Sequence, residues 1–158
     1  MENKGKICMF TGHRIINGRH LSTLPNRLDQ LLEKLISCGY TEFRAGGAIG
    51  FDTVAAIKVL EKKKKYGFVR LHLFLPCRDQ EKGWRENSKR AYYYVLQRAD
   101  SVRYCSEEYT DGCMHKRNRE MVDGSDLCVA YCGTSRGGSA YTLSYAKKKN
   151  VRLVNLFE

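Results

Sequence analysis

Three stretches of the chain set glycines beside hydroxyl, cationic or carboxylate side chains, a combination that can hold an anion. The first, residues 132–139, carries Gly133, Thr134, Gly137, Gly138 and Ser139 between an apolar run (127–131) and a helical pattern (140–149). A strand followed by a glycine-rich turn and a helix start offers unpaired amides and the positive end of the helix dipole. The missing Cβ atoms let a phosphate come close to the backbone. Ser139 could cap the helix or give its hydroxyl to a phosphate oxygen. The second stretch, 45–52, holds Gly46, Gly47 and Gly50 ahead of Phe51 and Asp52. Asp52 could be a cap, an acceptor for ribose hydroxyls or the group that orients a catalytic water. The third, Thr11-Gly12-His13-Arg14, follows the first apolar run. Arg14 can bind two phosphate oxygens with its planar fork, and His13 can donate to the same ligand or act as a general acid or base. For each turn taken alone, a tight loop that needs glycine for its angles is the competing explanation.

A further signal is a local rule broken. The segment CMHKRNREMVD (113–123) reads as a helix, yet His115, Lys116, Arg117 and Arg119 crowd its first half. Cations there oppose the dipole at a cost of roughly a few tenths of a kcal/mol each, and such conflicts concentrate at sites. Lys116 and Arg117 therefore join the candidate set, and Tyr109, Phe51 and Tyr141 are candidates to stack on a base. The catalytic candidates are Asp52 and His13.

The elements that must position these residues alternate along the chain. Strands are expected at 6–11, 41–45, 69–75, 100–105, 127–131 and 151–157. Helices are expected from 22 or 25 to 38, and at 51–66, 83–99, 113–123 and 140–149. The alternation predicts an α/β fold, a Rossmann-like three-layer α/β/α sandwich with a mostly parallel sheet of about six strands. Residues 1–158 form a single domain without internal repeats. All three glycine turns then fall at the C-terminal edge of the sheet, where ligands bind at a topological switch point. The loop at 15–21 lies where it could cover the site. The ligand expected there is a phosphorylated, nucleotide-like small molecule. No GxxxxGK[ST] occurs and no turn matches GxGxxG, which disfavours P-loop and conventional dinucleotide-dehydrogenase chemistry.

Composition narrows the class further. At 42% hydrophobic and 28% charged, with two prolines, the 158 residues suit one soluble globular domain. No apolar run approaches the ~20 residues of a membrane span. Residues 1–6 resemble neither a signal nor a transit peptide, so a cytoplasmic location is expected. The seven cysteines include no paired CxxC spacing, which predicts reduced thiols and no metal site. The net charge of +11 predicts attraction to anionic small molecules or nucleic acid. The lysine runs 62–65 and 147–149 are read as solvated helix ends.

FTGHR (10–14), GGAIGFDTVAA (46–56), EEYTDGCMHKRNREMVDGSDLCVAY (107–131) and GTSRGGSAYTLSYAKKK (133–149) together resemble the SLOG superfamily, and more narrowly its YpsA/YoqJ-like branch. The resemblance implies a Rossmann-like fold, a nucleotide or nucleotide-derived ligand, no required cofactor, and a homo-oligomer. The superfamily includes the Lonely Guy phosphoribohydrolases, whose PGGxGTxxE motif binds phosphate through glycines and uses the Glu in catalysis. Laid on this chain, Gly137 and Gly138 match the glycines, Arg136 stands for the Pro, Ala140 and Tyr141 for Gly-Thr, and Ser144 for the Glu. Ser144 has no carboxylate and cannot serve as the acid or base. The resemblance thus implies a sensor or sequestering module that binds without turnover. Two alternatives remain: a nucleotide N-glycosidase using Asp52 or His13, and the single-stranded nucleic-acid binding of the Smf/DprA members.

Overall fold

The computed structural model describes residues 5–157. Six strands alternate with five helices: β1 (Lys6–Gly12), α1 (Leu24–Ser37), β2 (Tyr40–Ala45), α2 (Phe51–Lys65), β3 (Arg70–Leu75), α3 (Glu86–Arg98), β4 (Ser101–Tyr104), α4 (Cys113–Val122), β5 (Leu127–Tyr131), α5 (Gly138–Lys148) and β6 (Arg152–Asn155). Every strand pairing is parallel, in the order β4-β3-β2-β1-β5-β6. The alternation read from the sequence is therefore the fold, an α/β Rossmann-like sandwich.

Local chemistry explains the element ends. α1 buries Leu24, Leu28, Leu32, Leu35 and Ile36 on one stripe, with a proline in its first turn. The chain then leaves through Gly39 at φ +98°, the left-handed conformation glycine adopts at least cost. The expected third helix starts three residues late, at Glu86, because Gly83 at φ +85° and an extended Arg85 break the helical path before it. The 15–21 loop contains a short 3-10 turn, Gly18–His20, whose Arg19 amide is held by the Asn17 carboxamide.

Two cores sandwich the sheet. Phe10, Phe43, Leu71, Leu73 and Tyr131 face α1, α2 and α3, while Met9, Cys128, Ala130, Met121 and Ala146 pack on the α4–α5 side. β5 is buried at all five positions, as a central parallel strand must be. The lysine run at 62–65 is not wholly solvated: Lys62 is buried and pairs with Asp29 and Glu33 of α1 at 2.7 and 2.8 Å. These partners hold Lys62 well inside its charged range, and hydrogen bonds from Lys62, Tyr66 and Lys65 push the Glu33 carboxyl down to about 2. The run at 147–149 is exposed as expected.

The consequence for function lies between β1 and β5. Thr11 pairs with Ala130 and Gly12 with Tyr131. Past that register the chain leaves β1 toward the α1 side and β5 toward the α5 side. A crevice opens where the strands' exits diverge.

Candidate functional site

A cleft of about 440 Å³ occupies this switch point, lined from β1, the β2–α2 turn, α4 and the β5–α5 loop. Its wall separates into two zones. Thr11, Ala48, Asp52, Arg117 and Asn118 form a buried floor, whereas Arg14, Thr134, Arg136, Gly137 and Gly138 form an exposed rim. Gly12, His13, Met114 and Ser139 complete the wall. The three turns singled out in the sequence thus meet in one place.

The rim has the features of an anion site. Gly137 precedes α5 at φ +99° with no side-chain cap on the helix. The cap expected of Ser139 is absent because the helix already begins at Gly138; Ser139 lies in its first turn and faces the cleft. The first amides of α5 therefore remain open to the cleft mouth, whose rim also includes the exposed Arg14 and Arg136.

Most of the other glycines serve packing instead. A Cβ on Gly12 would collide with the Phe51 ring, on Gly46 with the Arg117 guanidinium, and on Gly133 with the Phe157 ring. Gly47 is pressed by Leu75, and Gly50, at φ +86°, lies against the Arg14 carbonyl. What comes close to the 45–52 turn is the protein itself. Gly137 and Gly138 differ: beyond their chain neighbours and, for Gly138, the backbone of its own helix, nothing lies within 4 Å of the Cβ each lacks.

His13 holds the cleft together. Its backbone N–H donates to Tyr131 O and its carbonyl accepts from Phe51 N, at 3.0 and 3.1 Å. Its Nε2 accepts from the Gly133 amide at 2.8 Å. An accepting Nε2 places the ring proton on Nδ1 in this arrangement. The ring packs edge-on against Tyr131 and Phe157. With Nε2 occupied, Nδ1–H is the only function His13 can offer a ligand, and the general-base role considered for it would first require breaking the Gly133 contact.

Asp52 sits on the floor with 5% of its surface exposed. It is not a helix cap: Gly50 holds that position, and Asp52 lies in the first turn of α2. Its Oδ2 accepts from the Ala48 amide at 3.3 Å, while its Oδ1 is buried without a hydrogen-bond partner. Burial pushes its carboxyl up to about 6 against the opposing pull of Arg117. Arg117 is itself buried, donating through Nη1 to the carbonyls of Gly46 and Phe74 and through Nε to Asn118 Oδ1. Its misplaced charge near the start of α4 thus serves to pin the β2–α2 turn across the sheet edge. Three arginines and one aspartate are among the lining residues, so the charge around the cleft is net positive.

Other candidates lie elsewhere. Phe51 is fully buried and stacks on Tyr131 at 5.7 Å, making it core rather than a base platform. Tyr141 stacks on His115 at 4.0 Å and accepts from Arg119 at 3.0 Å, between α4 and α5. Lys116 turns to the Cys105 carbonyl at 2.6 Å. Tyr109 is exposed beside a different depression, next to Arg78 and Glu107. Gly46, Gly47, Gly50 and Gly133 are not among the residues that line the cleft. Ser144 is on the exposed face of α5 and lines no part of it. The candidate set lacked Ala48, Met114, Asn118 and Arg136. All four lie inside stretches already singled out, 45–52, 113–123 and 132–139; Asn118 and Arg136 carry polar groups that could have marked them, whereas Ala48 and Met114 carry none.

Among the described residues, no group of three or more His, Cys, Asp or Glu could hold a metal ion. No helix among them is long and apolar enough to cross a membrane. The described cysteines are all free thiols, buried except for Cys38.

Comparison with known proteins agrees with this architecture. The YpsA family model, described as YspA SLOG family, matches residues 9–155. The SPbeta prophage-derived protein YoqJ of Bacillus subtilis (strain 168) is 31% identical over 138 residues, covering 79% of this chain and 81% of YoqJ. Among solved structures, DNA processing protein A (DprA) from Helicobacter pylori superposes with a TM-score of 0.69 at 19% identity, over 96% of this chain and 65% of that one. DprA from Streptococcus pneumoniae gives 0.66 at 14% identity, over 96% of this chain and 50% of its own length. The chain thus spans about half to two thirds of the DprA structures, and at these identities the likeness shows the fold alone. The match across nearly the whole chain and the YoqJ identity agree on the family: the chain belongs to the YspA SLOG family.

Proposed function

We propose that the chain binds a nucleotide-derived, phosphorylated small molecule in the β1–β5 cleft, as a sensor or sequestering protein that does not turn its ligand over. The observation that carries this reading is the rim, where the uncapped start of α5 adjoins Arg14 and Arg136. Such a place favours a compact dianion, because several fixed donors converge on it without a competing carboxylate. The side chain aligned with the catalytic Glu of the Lonely Guy enzymes is Ser144, exposed and outside the cleft. No cofactor enters this reading. As elsewhere in the superfamily, the working form is a homo-oligomer, which sedimentation would measure.

The test is to denature the purified protein, identify any released small molecule by mass spectrometry, and titrate that compound back. Micromolar or tighter binding of a phosphorylated nucleoside derivative, with the compound recovered intact, is the expected result. Release of free base would instead favour the hydrolytic reading, which rests on the unpartnered Asp52 Oδ1. Asp52→Asn would then abolish turnover while retaining binding. The Helicobacter protein is described by its single-stranded-DNA binding mode, and the net charge of +11 gives that reading some support here. It predicts an affinity for single strands that falls steeply with salt, whereas a small-molecule site predicts none of consequence at ~150 mM.

A further inference from the structure

We propose that Asp52 is the sugar-recognition residue of the cleft, accepting the vicinal hydroxyls of a pentose 5-phosphate unit whose phosphate lies at the α5 rim. The inference rests on the binding role proposed above and adds the ligand's orientation and class. Asp52 lines the cleft, and its Oδ1 is buried without a partner. A buried acceptor left unpaired is costly, and a ligand donor removes that cost.

The polarity of the floor decides which donor. A phosphate cannot rest against Asp52 without placing like charges together, so the anionic end belongs to the rim with Arg14 and Arg136. The group reaching the floor must be uncharged and must donate. Asn118, which also lines the cleft, gives the floor a complementary donor: its Oδ1 is taken by Arg117 Nε at 2.7 Å, which leaves its Nδ2 amide to donate. Thr11, also buried and lining the floor, can donate or accept. An acceptor, a donor and a hydroxyl around one small space match a diol, whose two groups each donate and accept. In a nucleotide-derived molecule the diol nearest the phosphate is that of the pentose.

Calorimetric titration of the full chain with inorganic phosphate, ribose 5-phosphate and 2-deoxyribose 5-phosphate tests this. In the wild type, ribose 5-phosphate is expected to bind about tenfold or more tightly than its 2-deoxy counterpart, the effect of one lost hydrogen bond to a charged group. Asp52→Ala and Asp52→Asn, each checked for folding by circular dichroism, should lose that preference and weaken ribose 5-phosphate about tenfold to a hundredfold. Both should bind inorganic phosphate as well as the wild type or better, because a negative charge has left the cleft. A merely structural Asp52 would weaken all three ligands together. Equal wild-type affinity for the two sugar phosphates, or unchanged ribose 5-phosphate binding in both variants, would overturn the inference and leave the binding role standing. No binding by any of the three would overturn both.

Discussion

The imidazole of His13, at the end of β1, accepts a hydrogen bond from the Gly133 amide, at the end of β5, across 2.8 Å. This bond bridges the strand exits at the switch point and fixes where the glycine-rich loop leaves the sheet. His13→Ala removes it together with the edge-on packing against Tyr131 and Phe157. The expected loss is about 1–3 kcal/mol of stability, read from urea melts. Ligand affinity should fall with it, since the rim loses its anchor.

The Asp52 carboxyl has a pH signature. It is held at about 6 in the folded protein, against ~3.9 in an unfolded chain. Between those values the native state binds more protons than the unfolded one, so this group lowers stability as pH rises from about 4 to 6. The full penalty stands above 6 and is of the order of 2–3 kcal/mol. Asp52→Asn should therefore be more stable than the wild type at pH 7, with the difference vanishing near pH 4. Denaturant melts across that range provide the check.

Arg117 should behave in the opposite way. Its buried guanidinium satisfies the carbonyls of Gly46 and Phe74 and faces Asp52. Arg117→Ala strands those carbonyls and leaves Asp52 as an uncompensated buried acid, a loss of about 3–5 kcal/mol. Arg117→Lys should recover only part of it, because one ammonium cannot reproduce the planar fork. Thermal melts of the two variants would show the ranking.

Gly138 separates binding from folding. Beyond its chain neighbours and the backbone of its own helix, nothing lies within 4 Å of the Cβ it lacks, and its φ lies outside the left-handed region. Gly138→Ala should leave stability unchanged or raise it by up to ~1 kcal/mol, as alanine suits a helix better. The added methyl should crowd a phosphate at the rim and weaken its binding by about 1–3 kcal/mol. Parallel melting and titration curves would distinguish the two effects.

The strand-helix alternation was legible because apolar periodicity and glycine punctuation act locally. Leu28, Leu32 and Leu35 mark the buried face of α1, and the all-apolar 127–131 run marks a central strand. The convergence of the three turns followed from topology. What stayed hidden was the direction of side chains. Phe51, Tyr141 and Lys116 occupy promising positions in the sequence but point into the core, to the α4–α5 seam and to a backbone carbonyl. Glycine alone also could not reveal who its close neighbour is: at Gly12, Gly46 and Gly133 it is another side chain. Lys62 was misread for a similar reason, because its acidic partners sit about thirty residues away on α1.

The most direct test of the central claim is to follow the backbone amide resonances of the 15N-labelled protein while titrating a nucleoside 5′-monophosphate. Saturable shifts concentrated at Gly137, Gly138 and Ser139, with Asp52 responding in the same titration, are the predicted result. Shifts confined to the lysine-rich helix ends, or no saturable shift in the β5–α5 loop, would contradict the assignment of this cleft as the binding site.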